Sequence, residues 1–420
     1  MDCKDVNEFL DLYLNNNIEY EDLFLPSIDH YMKLHDIAMM HKKDSRYQLI
    51  IAFLHLYGDM GYKNFEIAYN WFYKAAMEGN DIAMFNIANM YHKGRFVPLD
   101  MELAIKWYEK ASEHNNSNAM VNLGVIYEYG KNVEIDIKKA YEYYQRAVEL
   151  GNASAMHNLA LFYRKGIYVN KDLKKSFELF KLSAEKEDGY AYNQLGYIYQ
   201  NGIGVEADHL KAFINYEKAA SYGVAAAYGN MGFLYENGIG VEKDETKAYF
   251  YYSYAANKGD VTSMKNAAVC LICGKGCVKD PERAIKYLQQ ACELGHAESM
   301  CVLGYAYENG DGVEKDYNQA FCWYEKAAKL GNSIAINNLG VFYQYGKGCE
   351  VDLKKAVEYY TIAAAHNEAI ALTNLGLCYQ EGTGVKKDIE RALDLFYGAY
   401  KLGNNKAKML YDQLKEKTSK

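Results

Sequence analysis

The sequence predicts an all-α protein, a solenoid of about ten helix-turn-helix repeats of 36 residues each. Three observations support this prediction. Ten units follow one another in register from Ser45 to Asn404 without insertions. The fourteenth residue of every unit is glycine, and the twentieth is aspartate in every unit except the first. The units begin at Ser45, Asp81, Ser117, Ala153, Gly189, Ala225, Val261, Ala297, Ser333 and Ala369.

The unit that starts at Ala297 shows how each repeat forms two helices. Helix A has small and apolar residues at helical spacing, and we expect it to end at Gly310, which can adopt the left-handed conformation found after helices. After a short loop, Asp316 can accept hydrogen bonds from the first amides of helix B. Helix B carries Tyr324 and two alanines on one face and charged residues on the other. Because one hairpin cannot cover its own apolar face, the units are expected to stack.

The chain divides into three predicted segments. Residues 1–44 lack the repeat and are predicted to form an N-terminal helical cap, including a helix over Val6–Leu14. A dedicated docking element is the alternative interpretation of this segment. Residues 45–404 contain the ten tandem repeats. Residues 405–420 begin like another helix A and end in charged residues, which is typical of a C-terminal capping helix.

The repeat consensus resembles a known family. The pattern A-x-x-N-L-G-x-x-Y-x-x-G-x-G-V-x-x-D-x-x-x-A-x-x-W/Y-Y-x-K-A-A-x-x-G, present over residues 45–404, is similar to the Sel1-like repeat (SLR), a relative of the tetratricopeptide repeat. The resemblance implies a right-handed α-α superhelix that serves as a non-catalytic scaffold or adaptor for a partner protein or peptide. Two alternatives stay open: a hydrolase or penicillin-binding activity, as suggested for some cysteine-rich relatives, and a structural element that self-associates through its caps.

The composition argues against several other classes of function. The net charge of −8 opposes nucleic-acid binding, which needs a clustered basic face. No apolar run approaches the roughly 20 residues that span a bilayer. Acidic residues stand near the N-terminus where a secretory signal would be apolar. We therefore expect a cytoplasmic protein with no membrane span, while export without a cleaved signal stays open. The oligomeric state does not follow from the sequence.

Nine cysteines raise the question of a metal site or a disulfide. Five of them occupy positions where other units have small apolar residues, which predicts buried free thiols rather than metal ligands: Cys270, Cys277, Cys292, Cys349 and Cys378. Cysteine-rich secreted relatives of the resembled family pair a helix B cysteine with one on the next helix A. Cys292 and Cys301 come close to that arrangement, but Cys301 lies one residue from the expected place.

No motif for catalysis or cofactor binding is present in the sequence. The repeated G-x-G, as at Gly310 and Gly312, lies between two helices and lacks the preceding strand that a dinucleotide-binding fingerprint requires. Turn geometry explains it. Neither H-E-x-x-H nor G-x-S-x-G occurs. We therefore expect no catalytic residues, no metal site and no cofactor.

The candidate binding surface is a strip along the A helices, here called the A-helix strip. It consists of the second, fifth, sixth, ninth and thirteenth residues of each helix A, which share the face opposite the packed residues. The sixth residue is almost always an amide, and an amide can bind a peptide backbone without reading its sequence. Bonding to neighbouring helices is the alternative role. The candidate residues at this position are Asn122, Asn158, Gln194, Asn230, Asn266, Asn338 and Asn374.

The ninth residue of helix A is apolar or aromatic, and its candidate binding residues are Tyr197, Phe233 and Tyr305. Exposed, they would anchor a partner; burial between repeats is the alternative. Charges also sort along the chain, which suggests a bipolar partner. Basic residues stand in the early units and acidic ones in the late units: His92, Lys93, Arg164 and Lys165, then Glu236, Glu308 and Glu381.

Overall fold

The computed structural model describes residues 28–58 and 63–418. Over these residues it contains 22 α-helices and no strands, so the predicted all-α solenoid is confirmed. The helices belong to two compact units, which divide between Glu206 and Ala207. In each unit, every helix packs against the helices that precede and follow it in sequence. The predicted helix over Val6–Leu14 lies outside the described residues.

The first unit begins with one helix before the repeats and continues with paired A and B helices. Its described helices are α1 (Ile28–Met40), α2 (Ser45–Tyr57), α3 (Phe65–Met77), α4 (Asp81–Lys93), α5 (Met101–Glu113), α6 (Ser117–Tyr129), α7 (Ile137–Glu149), α8 (Ala153–Lys165), α9 (Leu173–Glu185) and α10 (Gly189–Asn201). Leu34 and Ala38 of α1 are buried. The preceding helix therefore covers apolar surface of the first hairpin.

The second unit continues the same alternation of A and B helices. Its described helices are α11 (His209–Ser221), α12 (Ala225–Asn237), α13 (Glu245–Asn257), α14 (Val261–Cys273), α15 (Pro281–Glu293), α16 (Ala297–Asn309), α17 (Tyr317–Lys329), α18 (Ser333–Tyr345), α19 (Leu353–Ala365), α20 (Ala369–Glu381), α21 (Ile389–Lys401) and α22 (Asn405–Thr418). Leu414 of α22 packs with the buried Phe396 of α21. Most other side chains of α22 are exposed, as a polar last helix requires.

The start of each helix B follows the predicted capping. Asp316 accepts hydrogen bonds from the backbone N–H groups of Asn318 and Gln319. The aspartates at the twentieth position of all the later units cap in the same way, and Asn64 replaces them in the first unit. Each such cap is worth about 1 kcal/mol, so the aspartate fixes where helix B begins.

The end of helix A depends on the fourteenth residue. Gly310 has φ 83° and ψ 32°, the left-handed conformation that a residue without Cβ adopts at little cost. The glycines of all units from the second onward have positive φ here, so this prediction is confirmed for them. In the first repeat, which begins at Ser45, the prediction is wrong. Gly58 has φ −57° and ψ 133°, and the chain leaves α2 in an extended conformation.

Close approach explains two further glycines of the repeat. At Gly304, on helix A, an added Cβ would lie 2.8 Å from the ring of Tyr324, which is fully buried on helix B of the same repeat. At Gly312, in the loop, an added Cβ would meet the backbone carbonyl of Pro281 in the preceding repeat. The G-x-G pattern therefore serves the turn, as the sequence indicated, and also the contact between consecutive repeats, which the sequence did not indicate.

Within residues 28–58 and 63–418, no helix has the length and apolar character that a transmembrane span requires.

Candidate functional site: the A-helix strip

The three aromatic candidates of the A-helix strip are exposed. Tyr197 is 46% exposed, Phe233 40% and Tyr305 54%. Their alternative interpretation, burial between repeats, is therefore wrong. The aliphatic residues at the same ninth position are half-buried: Val125, Leu161, Val269, Val341 and Leu377. The aromatic rings thus add apolar surface to a face that is otherwise only partly covered.

The amides at the sixth position are half-buried, and several of them bond within the protein. Gln194 accepts a hydrogen bond from Arg164 on the preceding helix A, at 2.7 Å. Asn374 donates to Asn337, also on the preceding helix A, at 3.0 Å. The half-buried candidates are Asn122, Asn158, Gln194, Asn230, Asn266, Asn338 and Asn374. The alternative role, bonding to neighbouring helices, is therefore observed for part of these amides.

The structure brings some of the candidates together in the second compact unit, which begins at Ala207. Asn230, Phe233 and Asn266 line a small concavity of 190 Å³ between α12 and α14. Tyr305 and Asn338 line a larger concavity further along. Gln194 and Tyr197 lie about one turn apart on α10 in the first unit.

Sequence reasoning missed a set of hydrogen bonds that lies beneath the strip. The twenty-eighth residue of most units is a fully buried tyrosine on helix B. In four units its hydroxyl donates to the twelfth residue of helix A in the same unit, as Tyr324 does to Glu308 at 2.9 Å, whereas Tyr108 donates to Asn89 at 2.7 Å. The equivalent bonds join Tyr144 to Glu128 at 2.8 Å, Tyr252 to Glu236 at 2.7 Å and Tyr360 to Gln344 at 2.6 Å.

The same hydroxyl also reaches the next repeat. Burial raises the pKa of Tyr324, and the neighbouring Glu308 raises it further, whereas a hydrogen bond with Asn338 of the next helix A lowers it. Tyr108 has the same relation to Asn122. We call the twelfth residue of helix A, the tyrosine of helix B and the sixth residue of the next helix A a polar triad. Its signal in the sequence is that position twelve is polar in every unit with this tyrosine.

Three of the charged residues that suggested a bipolar partner, all at the twelfth position of helix A, are engaged inside the protein. Glu236 and Glu308 accept from tyrosines, and Glu308 also pairs with Lys347, whose Nζ lies 2.7 Å away. Arg164 bonds to Gln194 and lies over the ring of Phe180. Internal pairing accounts for these three charges. Lys93, Lys165 and Glu381 are exposed, and a bipolar partner stays a prediction.

One triad is apolar throughout. Ile272 stands at the twelfth position, Leu288 replaces the tyrosine, and Val302 replaces the amide of the next helix A. A concavity of 480 Å³ opens here between α14, α16 and α18. Its lining residues are Lys265, Val269, Ile272, Cys273, Glu298, Cys301, Val302, Tyr305, Asn332, Ser333, Ile334 and Asn338. We call this concavity the apolar pocket.

The described cysteines are free thiols, including both members of the Cys292–Cys301 pair. Cys270, Cys292 and Cys378 are buried, as predicted, and burial raises the pKa of each thiol. Cys277 and Cys349 are half-buried. No group of three or more potential metal ligands lies close enough together in the part of the chain that the structure describes.

Comparison with protein families gives a match over most of the chain. The model of the Sel1 repeat matches ten consecutive segments: 45–80, 81–116, 117–152, 153–188, 189–223, 225–260, 261–296, 297–332, 333–368 and 369–404. These segments coincide with the units read from the sequence, apart from one residue at position 224. No curated protein sequence matches the chain closely enough to count as a relative.

Two solved structures resemble the chain at the level of fold. A protective antigen of uropathogenic Escherichia coli that displays an SLR fold is 26% identical, with a TM-score of 0.55 over 92% of this chain and 90% of that chain. A Sel1 repeat protein from Oxalobacter formigenes is 25% identical, with a TM-score of 0.51 over 74% of this chain and 90% of that chain.

Proposed function

The chain belongs to the Sel1 repeat family, and from this premise we propose that it is a non-catalytic scaffold that holds an extended segment of a partner protein along the A-helix strip. Sel1 repeat proteins are generally protein-interaction scaffolds, and their fold is typically non-enzymatic. The partner class in this proposal is a protein or an extended peptide. Multiple weak contacts spread over several repeats would give the binding its strength.

The exposure of Tyr197, Phe233 and Tyr305 is the observation on which the proposal depends. Aromatic rings are enriched among the residues that dominate binding at protein interfaces. They recur here at one position of the repeat. The other residues of that position are aliphatic, except Asn89 in the second repeat and Phe53 in the first, which is only 3% exposed. Each of these rings is therefore suited to anchor a side chain of a partner segment.

The amides beside these rings support the same proposal. An amide has two donors and an acceptor oxygen with two lone pairs, so one internal hydrogen bond uses only part of its capacity. Gln194 uses its oxygen toward Arg164, and Asn374 uses its nitrogen toward Asn337. Half-buried amides of this kind are held in place by the protein and can still bond to a passing peptide backbone.

The test compares two triple variants that remove the same rings from different faces. The strip variant replaces Tyr197, Phe233 and Tyr305 with alanine. The control replaces Tyr73, Phe250 and Tyr397, which lie on B helices and are 43%, 59% and 44% exposed. Both sets contain two tyrosines and one phenylalanine, so they change composition equally.

The readout is capture from a lysate of the source cells on the immobilised full chain, quantified by mass spectrometry. Proteins that the wild type and the control variant capture should fall at least tenfold with the strip variant, since one dominant aromatic contact is worth about 2 kcal/mol or more. Thermal unfolding followed by circular dichroism should be the same for both variants. Equal capture by the folded strip variant would overturn the proposal.

A further inference from the structure

Three departures from the repeat coincide at the apolar pocket. In the adjacent repeat, Glu308, Tyr324 and Asn338 form a complete polar triad. One repeat earlier, the corresponding residues are Ile272, Leu288 and Val302. Eight of the nine places where one repeat meets the next keep at least one polar member in these positions, and this place alone keeps none. The loss of all three polar residues is thus specific to this place, whereas the smaller concavity between α12 and α14 keeps Asn230 and Asn266 in its lining.

The loss of the polar triad makes the surface of the A-helix strip apolar at this place. Leu288 is fully buried and carries no hydroxyl toward the strip, while Ile272 and Val302 are half-buried in the pocket wall. Tyr305 and Ile334 extend the apolar surface at the rim, at 54% and 52% exposure. An apolar surface that is left uncovered beside a polar row favours a partner group that removes it from water.

The charge of the lining points to an uncharged occupant. Lys265 and Glu298 are the charged side chains of the pocket, and they pair with each other across two consecutive A helices at 3.2 Å. Their charges cancel locally. A charged side chain in the pocket would lose its hydration without gaining an unpaired counter-charge, whereas an aliphatic or aromatic group has no such cost.

The dimensions point to side chains of an extended segment. A cavity of about 150 Å³ is enough for one benzene-sized ring, so 480 Å³ has room for two bulky side chains together with part of a backbone. In an extended chain, residues i and i+2 lie on the same side, about 7 Å apart. Asn332 and Asn338 at the edge of the pocket can bond to the backbone between them.

We propose that the apolar pocket binds two bulky apolar side chains, at positions i and i+2, of an extended segment of the partner protein. This inference rests on the proposed function, because it assumes that the A-helix strip holds an extended chain. It adds the sequence preference of that chain. The pocket selects leucine, isoleucine, methionine, phenylalanine or tryptophan at two alternate positions, while the flanking amides bind the backbone without selecting side chains.

The test uses random twelve-residue peptides displayed on phage and selected on the full-length protein. Enriched peptides should share two bulky apolar residues separated by one residue. A fluorescein-labelled synthetic copy of an enriched peptide then gives the Kd by fluorescence anisotropy. Val302→Asn restores the residue that most repeats have at this position and should weaken binding at least tenfold. Val357→Asn, a half-buried valine on helix B outside the pocket, should leave the Kd unchanged within twofold.

A second readout uses the native protein without substitution. Cys273 lines the pocket and is exposed, whereas Cys322 is exposed on helix B and lies outside it. Bound peptide should slow the alkylation of Cys273 by N-ethylmaleimide and leave that of Cys322 unchanged, as measured by peptide mass spectrometry. This readout does not depend on the folding of a variant.

The outcomes separate the two proposals. If enriched peptides bind wild type and Val302→Asn equally and leave Cys273 reactive, the pocket assignment is overturned while the scaffold function stands. Enrichment of charged peptides without the apolar pair overturns it as well. If no peptide binds the folded wild type, both proposals fall. If light scattering shows a dimer that Val302→Asn dissociates, a second copy of the chain is the occupant and the peptide assignment is overturned.

Discussion

The packing of helix A glycines against buried rings predicts that one substitution has opposite effects at two sites. Gly340 on α18 faces the ring of Tyr360, and an added Cβ would lie 2.6 Å from the ring and 3.2 Å from the carbonyl oxygen of Ala356. Tyr360 is fully buried, so the ring has no solvent into which to move. Gly398 on α21 is also helical, but the nearest atom to an added Cβ is Leu372 Cδ1, at 4.0 Å.

The magnitudes follow from two effects. Replacing a glycine inside a helix with alanine stabilises the folded state by about 0.5–1 kcal/mol through chain entropy, and this applies to both sites. Overpacking a closed core costs about 1–3 kcal/mol, and this applies only at Gly340. We therefore expect Gly398→Ala to stabilise the protein and Gly340→Ala to destabilise it. The free energies of unfolding should differ by about 1–3 kcal/mol, the overpacking cost itself.

Urea unfolding followed by circular dichroism gives the global comparison. Because repeats of a solenoid can unfold separately, hydrogen exchange of the amides in α18 and α19 should be measured beside it. Those amides should exchange faster in Gly340→Ala than in wild type. The reasoning is refuted if Gly340→Ala raises the urea midpoint and slows local exchange as Gly398→Ala does, since the ring would then tolerate the added methyl group.

Two further predictions concern buried polar groups. Tyr324→Phe should cost about 1.5–3 kcal/mol of unfolding free energy, because the hydroxyl of Tyr324 bonds to a carboxylate. Tyr360→Phe should cost only about 0.5–1.5 kcal/mol, because the acceptor of Tyr360 is the neutral Gln344. Equal losses in urea unfolding would contradict this order. Burial alone would raise the pKa of Asp188, but the hydroxyl of Ser183 and the ring of His157, whose Nδ1 is 3.6 Å away, lower it overall. A lowered folded-state pKa gives stability that is present above the unfolded pKa of about 3.9 and disappears as the pH falls through the folded value. Asp188→Asn, which retains a capping side chain, should therefore unfold at lower urea near neutral pH and lose less stability than wild type between pH 5 and 2; parallel pH curves would exclude the effect.

The candidate site was predictable in part from the sequence. The period placed Tyr197, Phe233 and Tyr305 on one face of the A helices, and their exposure agrees with it. The amides were placed on the same strip, but the sequence left two roles open for them. The structure shows that Gln194 and Asn374 bond to the preceding helix, because consecutive A helices lie close enough for side chains to meet. Partner binding by these residues stays a prediction.

The twelfth position illustrates what reading the helix faces alone could not supply. From the sequence, Glu236 and Glu308 were candidate charges for a partner, whereas both accept hydrogen bonds from tyrosines 16 residues later. The spacing within one helix says nothing about a contact between two helices. A comparison across repeats contains the signal, since the twelfth residue is the apolar Ile272 in the repeat where Leu288 replaces the tyrosine.

The sequence by itself determined the repeat, where its helices begin and end, and which face of each helix is buried. These features follow from local interactions: an aspartate caps the next two or three amides, and a glycine at positive φ ends the helix before it. Only the tertiary structure decided which polar groups of the strip are already bonded and where the apolar pocket opens. In both cases, side chains from helix A, from helix B and from the following repeat contact one another at one point. Such contacts are a property of packing rather than of any single segment.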